Sequence, residues 1–138
     1  MNREIKFRGK RISNGEWLFG DLMHDNIGGC YVYPIESEEL YKENAVLPDT
    51  VGQNTGLKDK NGVEIYEGDI ICSKDSMGQL IYHEIFYEEK EGRFMAALSS
   101  NKEASFGVCS LSQYWIDKFE KVLVGNAYDN PELITHNP

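Results

Sequence analysis

The sequence predicts a mainly β protein with N-terminal β-hairpins, a C-terminal small barrel and one short helix. Along most of the chain, apolar residues alternate with polar ones, which is the two-residue period of half-buried strands. Glycine, asparagine and aspartate recur between these stretches, where tight turns are expected. The chain has 138 residues, of which 41% are hydrophobic, and this length and composition suit a folded core of modest size.

The first 45 residues predict a region of β-hairpins. Ile5 and Phe7 alternate with charged residues in a first strand. Asn14-Gly15 then supplies a turn that tolerates positive φ, so residues 3–23 are predicted to form a hairpin. A further short strand is predicted over residues 30–33.

An acidic segment with few apolar residues, 36–44, marks the predicted domain boundary. The predicted domains are residues 1–45, the N-terminal hairpin region, and residues 46–138, the small barrel. Short strands at hairpin spacing follow the boundary, and closure into a barrel would remove their exposed edges. The main strands predicted in this second domain are 64–72, 79–87, 93–98, 106–111 and 121–127.

The single predicted helix covers residues 111–119. Ser110 and Gln113 stand three residues apart, which is the spacing of a capping box at a helix N-terminus. From Asn130 onward the sequence predicts only a terminal turn. The side chains predicted to lie inside the barrel are Ile65, Ile70 and Val122.

The charge of the chain argues against binding to a phosphate backbone. The net charge is −9, but residues 1–11 hold five basic residues and one acidic residue, so the rest of the chain carries −13. The basic segment could act as an interaction arm. Alternating charges are also typical of an edge strand protected against aggregation, and we favour this interpretation. Duplex nucleic acid is therefore an unfavourable partner.

The cysteines and the apolar segments indicate a cytosolic protein. Cys30, Cys72 and Cys109 are widely spaced and odd in number, which suggests reduced thiols in a reducing compartment. No apolar run has the length of a membrane helix, and the N-terminus has no signal-peptide core. A zinc site would require these cysteines and His24, His83 and His136 to come together in the fold, but no two of them have the spacing of a zinc-binding motif. No metal or other cofactor is therefore expected.

A polar, glycine-rich stretch, TVGQNTGLKDKNG at 50–62, precedes IYEGDII at 65–71. Together with REIKFRG at 3–9 and VGNAYDNPEL at 124–133, it resembles the YopX family of phage and prophage proteins, and the resemblance spans nearly the whole chain. The resemblance implies a C-terminal part similar to an SH3-like barrel. It also implies a phage or prophage gene, and hence the cytoplasm of a bacterial host. It implies no settled activity and no catalytic residues.

The glycine-rich stretch has two interpretations, which we call structural and binding. In the structural one, glycines permit tight turns and an aspartate closes one of them; these residues are Gly52, Gly56, Gly62, Gly68 and Asp69. In the binding one, the segment is a polar loop on a rigid β scaffold, which is a common place for recognition. Its predicted partner-binding residues are Gln53, Asn54, Thr55, Lys58, Asp59 and Lys60.

Three classes of function follow from these observations. We favour a non-enzymatic binding module for a host or phage protein, acting alone or as a homo-oligomer. The second class is a nucleic-acid-linked protein, either a DNA mimic or a weak binder through the basic arm. The third is an enzyme, for which the sequence offers only the acid pair Glu67 and Asp69 and no evident nucleophile.

Overall fold

The computed structural model describes residues 1–34, 42–98, 102 and 107–135. The chain divides into two compact units, residues 1–56 and 57–138. Both are built mainly from antiparallel strands, which confirms the predicted fold class. The division falls later than the boundary predicted after residue 45, because the strand that begins at Gly52 pairs with the first strand of the chain. Residues 36–41, most of the segment 99–104, and His136 lie outside the described residues.

The first unit is an antiparallel sheet with strand order β4-β3-β2-β1-β5. Two short 3-10 turns, Lys42–Asn44 and Pro48–Thr50, flank its fourth strand. Its strands are β1 (Phe7–Lys10), β2 (Trp17–His24), β3 (Cys30–Tyr33), β4 (Ala45–Val46) and β5 (Gly52–Lys58), the last two residues of which belong to the second unit.

The predicted N-terminal hairpin is present, and β1 pairs with β2 across a turn in which Gly15 has φ of +73°. The apolar side of the sheet packs as one cluster around the fully buried Val32 and Val46. An isolated bridge joins Arg11 to Val46, so the end of β1 also meets β4. Gly9 permits this approach, because a Cβ there would lie 2.8 Å from Cγ2 of Val46.

The basic N-terminal residues take part in this sheet. Arg8 is buried and its guanidinium carbon lies 4.6 Å from the centre of the Trp17 ring. Arg11 forms an ion pair of 3.6 Å with Glu16. Residues 7–10 therefore form a paired strand, in keeping with the strand interpretation of the alternating charges.

The second unit contains a five-stranded antiparallel sheet with order β10-β9-β8-β7-β11. The five strands of this sheet are β7 (Asp69–Lys74), β8 (Leu80–Glu88), β9 (Arg93–Ala97), β10 (Val108–Ser110) and β11 (Val122–Asn126). The unit also contains the short strand β6 (Glu64–Tyr66), which neighbours β5, and the helices α1 (Gln113–Lys118) and α2 (Glu132–Thr135). Among the described residues, no helix is long and apolar enough to cross a membrane.

Two apolar clusters form the core of this unit. The larger one joins Ile65, Ile71 and Ile85 to Ile116 of α1, and all four side chains are fully buried. The smaller one contains Phe86, Met95 and Ala97. Of the side chains predicted to lie inside, Ile65 and Ile70 are fully buried. Val122 is only half-buried, because it lies on the edge strand β11.

The predicted SH3-like barrel is not closed in the part of the chain that the structure describes. Strands β10 and β11 are the two ends of the sheet order, and no described pairing joins them. The outer edge of β11 is instead bonded by residues that precede β6. Leu123 N donates to Asp59 Oδ2 at 2.9 Å, and Lys60 N donates to the Lys121 carbonyl oxygen at 2.9 Å. These bonds satisfy backbone N–H and C=O groups on the edge of β11, which a neighbouring strand would satisfy in a closed barrel.

The helix prediction is correct in place but wrong in its cap. Helix α1 begins at Gln113, and its N-cap is Ser112, whose hydroxyl accepts a bond from Trp115 N at 3.1 Å. Ser110 lies in β10, where backbone pairing with Met95 keeps it extended. The terminal segment forms the additional helix α2, so the described residues contain two short helices where one was predicted.

Candidate functional site

The glycine-rich segment is a strand where the sequence predicts a loop. Residues Gly52–Lys58 form β5, in which Gly52 lies opposite Arg8 of the first strand. Asn54 N donates to the Lys6 carbonyl oxygen at 2.8 Å, so the pairing continues beyond β1. Glycine and polar side chains are unfavourable in strands by propensity alone, but pairing with a neighbouring strand overrides this preference.

Burial divides the predicted partner-binding residues into an inward set and an outward set. The inward set is buried and consists of Asn54 and Asp59. Lys58 and Lys60, on either side of Asp59, are exposed. Gln53 and Thr55, on either side of Asn54, are half-buried. Asn54 and Lys58 would share one face of a regular strand, so the buried and exposed faces exchange between them, where Gly56 has φ of +80°.

The inward residues bind backbone amides. Asn54 Oδ1 accepts a bond from Gly56 N at 2.7 Å. Asp59 Oδ1 accepts bonds from the amides of Asn61 and Val63 at 2.8 and 2.9 Å, while its Oδ2 accepts the bond from Leu123 N. One carboxylate thus closes a turn and attaches that turn to β11. These contacts are structural, and they leave neither Asn54 nor Asp59 exposed to a partner.

The turn at Asp59 is one of three that share a local pattern, Asp-x-x-Gly. Asp25, Asp59 and Asp75 each accept, through Oδ1, the amides of the second and fourth residues that follow. A glycine stands third after each aspartate, in the left-handed region that side chains disfavour. These glycines are Gly28, Gly62 and Gly78, with φ of +91°, +83° and +80°. The backbone amides of Gly29 and Ile27 donate hydrogen bonds to the Asp25 carboxylate, and these bonds lower the pKa of that carboxyl.

The remaining signature residues also serve local structure. Gly68 has φ of +92°, and Asp69, 2% exposed, accepts a bond from Tyr66 N at 2.7 Å through Oδ2. Gly56 has φ of +80° within β5. Because Asp69 is buried and bonded to a backbone amide, it does not form a solvent-facing acid pair with Glu67.

The outward lysines sit beside helix α1. The backbone of Lys58 is held by the Gln113 side chain, whose Oε1 accepts from Lys58 N at 3.0 Å and whose Nε2 donates to the Lys58 carbonyl oxygen at 2.8 Å. The Lys58 ammonium is not needed for this pair of bonds. Lys60 Nζ lies 3.2 Å from Glu120 Oε1 in an exposed ion pair.

A groove of about 360 Å³ lies beside Lys60, at the β7–β11 edge of the second unit. We call it the β7–β11 groove. Three of its apolar side chains are exposed, Leu80 at 55%, Phe119 at 49% and Val124 at 44%. The lining is completed by Lys60, Cys72, Ser73, Lys74, Glu120 and Val122. This lining combines an apolar floor with two lysines and one glutamate.

A second cavity of about 350 Å³ lies under α1, and we call it the Lys121 cavity. Lys121 is only 3% exposed, its Nζ donates to Ser73 Oγ at 2.6 Å, and the ammonium lies 4.5 Å from the centre of the Trp115 ring. Burial lowers the pKa of Lys121, and the same effect raises the pKa of the Cys109 thiol in the cavity wall.

His83 lines the same cavity. Its ring meets that of Trp115 edge to face at 5.0 Å, and its buried Nδ1 has no hydrogen-bond partner among the described residues. Burial, aided by the charge of Lys121, lowers the pKa of His83 to about 4. Among the residues that the structure describes, no three His, Cys, Asp or Glu side chains come together as metal ligands.

Sequence reasoning missed this cluster. Its members, Ser73, His83, Cys109, Trp115 and Lys121, come from three strands, a helix and the residue before β11. No motif spacing connects them, and a lysine within an alternating stretch is normally interpreted as a solvent-facing residue. The only available signal was that Lys121 precedes Val122 at the start of an apolar strand.

Comparisons with known proteins agree with this fold. The family model described as YopX protein matches residues 6–135. Among solved structures, the chain is similar to the crystal structure of protein EF1440 from Enterococcus faecalis, with 27% sequence identity and a TM-score of 0.61; the match covers 95% of this chain and 98% of that chain. A search of curated proteins yields no match. The chain therefore belongs to the YopX family.

Proposed function

We propose that this YopX-family chain is a non-enzymatic binding module, made by a phage or prophage in the cytoplasm of a bacterial host. Its partner is a host or phage protein. The contact surface comprises the outward signature residues Lys58 and Lys60 together with the β7–β11 groove. The occupant of the groove is a segment of the partner that carries both apolar and acidic side chains.

The exposed apolar floor of the groove carries this proposal. Leu80, Phe119 and Val124 are each more than two-fifths exposed and line one depression. Apolar side chains gathered in a concave patch with a polar rim are typical of protein interaction sites, whereas single exposed apolar residues are ordinary. Such a patch favours an apolar partner segment.

Charge supports the acidic character of that segment. The rim holds Lys60 and Lys74 against Glu120, and Lys58 is exposed close by in the sequence, so the surface is locally basic on a chain whose net charge is −9. Complementary charge would guide an acidic segment to this position, and the acidic surface of the rest of the chain would repel it. The phage or prophage origin rests on the resemblance of the sequence motifs.

The test is a comparison of two double variants in affinity capture from host lysate, with and without phage infection, followed by mass spectrometry. The groove variant is Leu80→Ser with Val124→Ser. The matched control is Met77→Ser with Tyr114→Ser, which also removes two exposed apolar side chains of the same unit but lies outside the groove. Thermal melts establish that both variants are folded.

We expect the groove variant to lose a protein that the parent and the control both retain. Charge reversal with Lys60→Glu and Lys74→Glu should lose the same protein, and its capture by the parent should weaken as salt is raised. If all variants capture the same proteins in the same amounts, the groove is not the contact surface and the proposal is wrong.

A further inference from the structure

The Lys121 cavity contains a buried ammonium without a carboxylate partner. Its hydrogen bond goes to the neutral Ser73 hydroxyl, and it also lies over the rings of Trp115 and, at a greater distance, Phe119. The ion pairs of this unit include Lys60 with Glu120 and Lys102 with Glu84, and among the described residues Lys121 has no carboxylate in ion-pair range. A buried charge is costly unless it is paired, so this arrangement favours a bound anion.

Two further polar groups in the cavity are unused. The Ser73 oxygen accepts from Lys121 Nζ, and no described acceptor takes the proton of the Ser73 hydroxyl. The Nδ1 atom of His83, a residue only 7% exposed, has no partner among the described residues. Asp75 also lines the cavity, but its carboxylate oxygen Oδ1 is occupied by the amides of Met77 and Gln79.

The size and lining of the cavity fit a small organic molecule. Its volume of about 350 Å³ lies at the lower end of the range for ligand sites, ~300–1,000 Å³. Trp115, Phe119 and Ile81 provide aromatic and aliphatic walls, and the polar groups in the same lining include Lys121 Nζ and Ser73 Oγ, 2.6 Å apart. Ligand sites typically combine such walls with a few polar groups that orient the ligand.

The charges around the cavity favour a monoanion. His83 is neutral at pH 7 because its pKa lies at about 4. Lys74 and Asp75 in the lining carry opposite charges, so Lys121 leaves a net charge of one positive unit. A carboxylate would match this charge and could accept from two donors at once. A phosphate dianion would exceed it.

We propose that the Lys121 cavity binds a small organic carboxylate, held by Lys121 Nζ and the Ser73 hydroxyl, with its apolar part against Trp115. No bond is made or broken in this step. The site is separate in purpose from the protein-binding groove, although Ser73, Lys74 and Phe119 contribute to the walls of both. Leu80 and Val124 line only the groove and Lys121 lines only the cavity, so variants at these positions test the two proposals independently.

Isothermal titration of the full chain with benzoate tests the proposal, with benzamide as the neutral analogue of the same shape and inorganic phosphate as the dianion. We expect saturable 1:1 binding of benzoate, with both benzamide and phosphate at least tenfold weaker. Lys121→Met should weaken benzoate binding at least tenfold. Lys118→Met is the matched control, because Lys118 is an exposed lysine on α1 outside the cavity, and it should leave the affinity unchanged.

Ser73→Ala gives a second measurement if Lys121→Met does not fold, and it should weaken benzoate binding severalfold. Absence of saturable benzoate binding would overturn the proposal. So would equal affinity for benzoate and benzamide, because the ammonium would then contribute nothing. Phosphate binding as tight as that of benzoate would also contradict it, because the site would then recognise anions in general.

Discussion

At the scale of single residues, His83 makes the stability of the second unit depend on pH. Burial, together with the smaller effect of the Lys121 charge, lowers the pKa of His83 to about 4 from the ordinary 6.5. Between these pH values the unfolded chain binds a proton that the folded chain does not. The free energy of unfolding therefore falls as the pH drops through this window, and the neutral form is fully favourable only above about 6.5.

We expect the parent to lose about 2–3 kcal/mol more than His83→Leu when urea denaturation is compared at pH 7.5 and pH 4.5. The His83→Leu variant lacks the titrating imidazole. Both proteins contain the same carboxylates, so the difference between their pH dependences reports on His83. His24→Gln, which changes an exposed histidine, should follow the parent. Identical pH dependence of the parent and His83→Leu would show that His83 is not held neutral by burial.

Ile70 tests the assignment of the sheet faces. It is fully buried in β7, so Ile70→Ala should lower the free energy of unfolding by about 2–5 kcal/mol through lost burial and the cavity that remains. Val124→Ala, on the exposed side of β11, should lower it by less than about 1 kcal/mol. Equal urea midpoints for the two variants would contradict the burial of Ile70.

At the scale of elements, Gln113 joins helix α1 to the end of β5. Its amide makes two bonds with the backbone of Lys58, as a neighbouring strand would. Gln113→Ala should therefore lower the free energy of unfolding by about 1–2 kcal/mol, the sum expected for two partly exposed hydrogen bonds. The measurement is equilibrium denaturation.

Gln113→Glu provides the control for Gln113→Ala. The glutamate keeps the acceptor for Lys58 N but loses the donor to the Lys58 carbonyl oxygen. It also places a negative charge near Asp117, whose Oδ1 accepts a bond from Gln113 Nε2 at 2.9 Å in the parent. We expect it to be no more stable than Gln113→Ala at neutral pH. A fully stable Gln113→Glu would mean that the two backbone bonds do not hold these elements together.

The elements themselves could be predicted wherever side-chain alternation met a clear turn. The hairpin of β1 and β2 and the strands β3, β8 and β9 follow this rule. Strand β5 could not be predicted, because its polar and glycine residues favour a loop, and its extended form comes from pairing with the neighbouring strands β1 and β6. The hydrogen bond between the edge strand β11 and Asp59 could not be predicted either, because Asp59 lies in a turn that is distant in the sequence.

The candidate sites were less predictable than the elements. Alternation indicates which side chains of one strand share a face, but it does not indicate which ends of different strands lie together. Ser73, His83 and Lys121 therefore carried no joint signal in the sequence. For the signature segment, composition identified the polar residues but could not divide them into the inward Asp59 and the outward Lys58 and Lys60.

At the scale of the whole molecule, charge and the N-terminal sheet both disfavour nucleic acid. The net charge is −9, Arg8 is buried against Trp17, and Arg11 is paired with Glu16. We expect no sub-micromolar binding to random duplex DNA at physiological salt, measured by fluorescence anisotropy, because few cations remain to replace counterions. A sub-micromolar Kd that falls steeply with added salt would support the nucleic-acid alternative instead.

We propose that the glycine-rich family signature stabilises the fold through its inward side chains and leaves its outward side chains available for binding. Asp59 and its neighbours Lys58 and Lys60 provide a matched set, because they are consecutive and alternate in exposure. The Asp59 carboxylate accepts three backbone amides, and bonds to charged groups contribute about 1.5–3 kcal/mol each.

The most direct measurement is the free energy of unfolding, by urea denaturation, of Asp59→Ala and of the double variant Lys58→Ala with Lys60→Ala. We predict a loss of about 3 kcal/mol or more for Asp59→Ala and of less than about 1 kcal/mol for the double variant, whose side chains are exposed. The proposed division into inward structural and outward side chains would be contradicted if the double variant were as destabilised as Asp59→Ala. It would also be contradicted if Asp59→Ala were as stable as the parent.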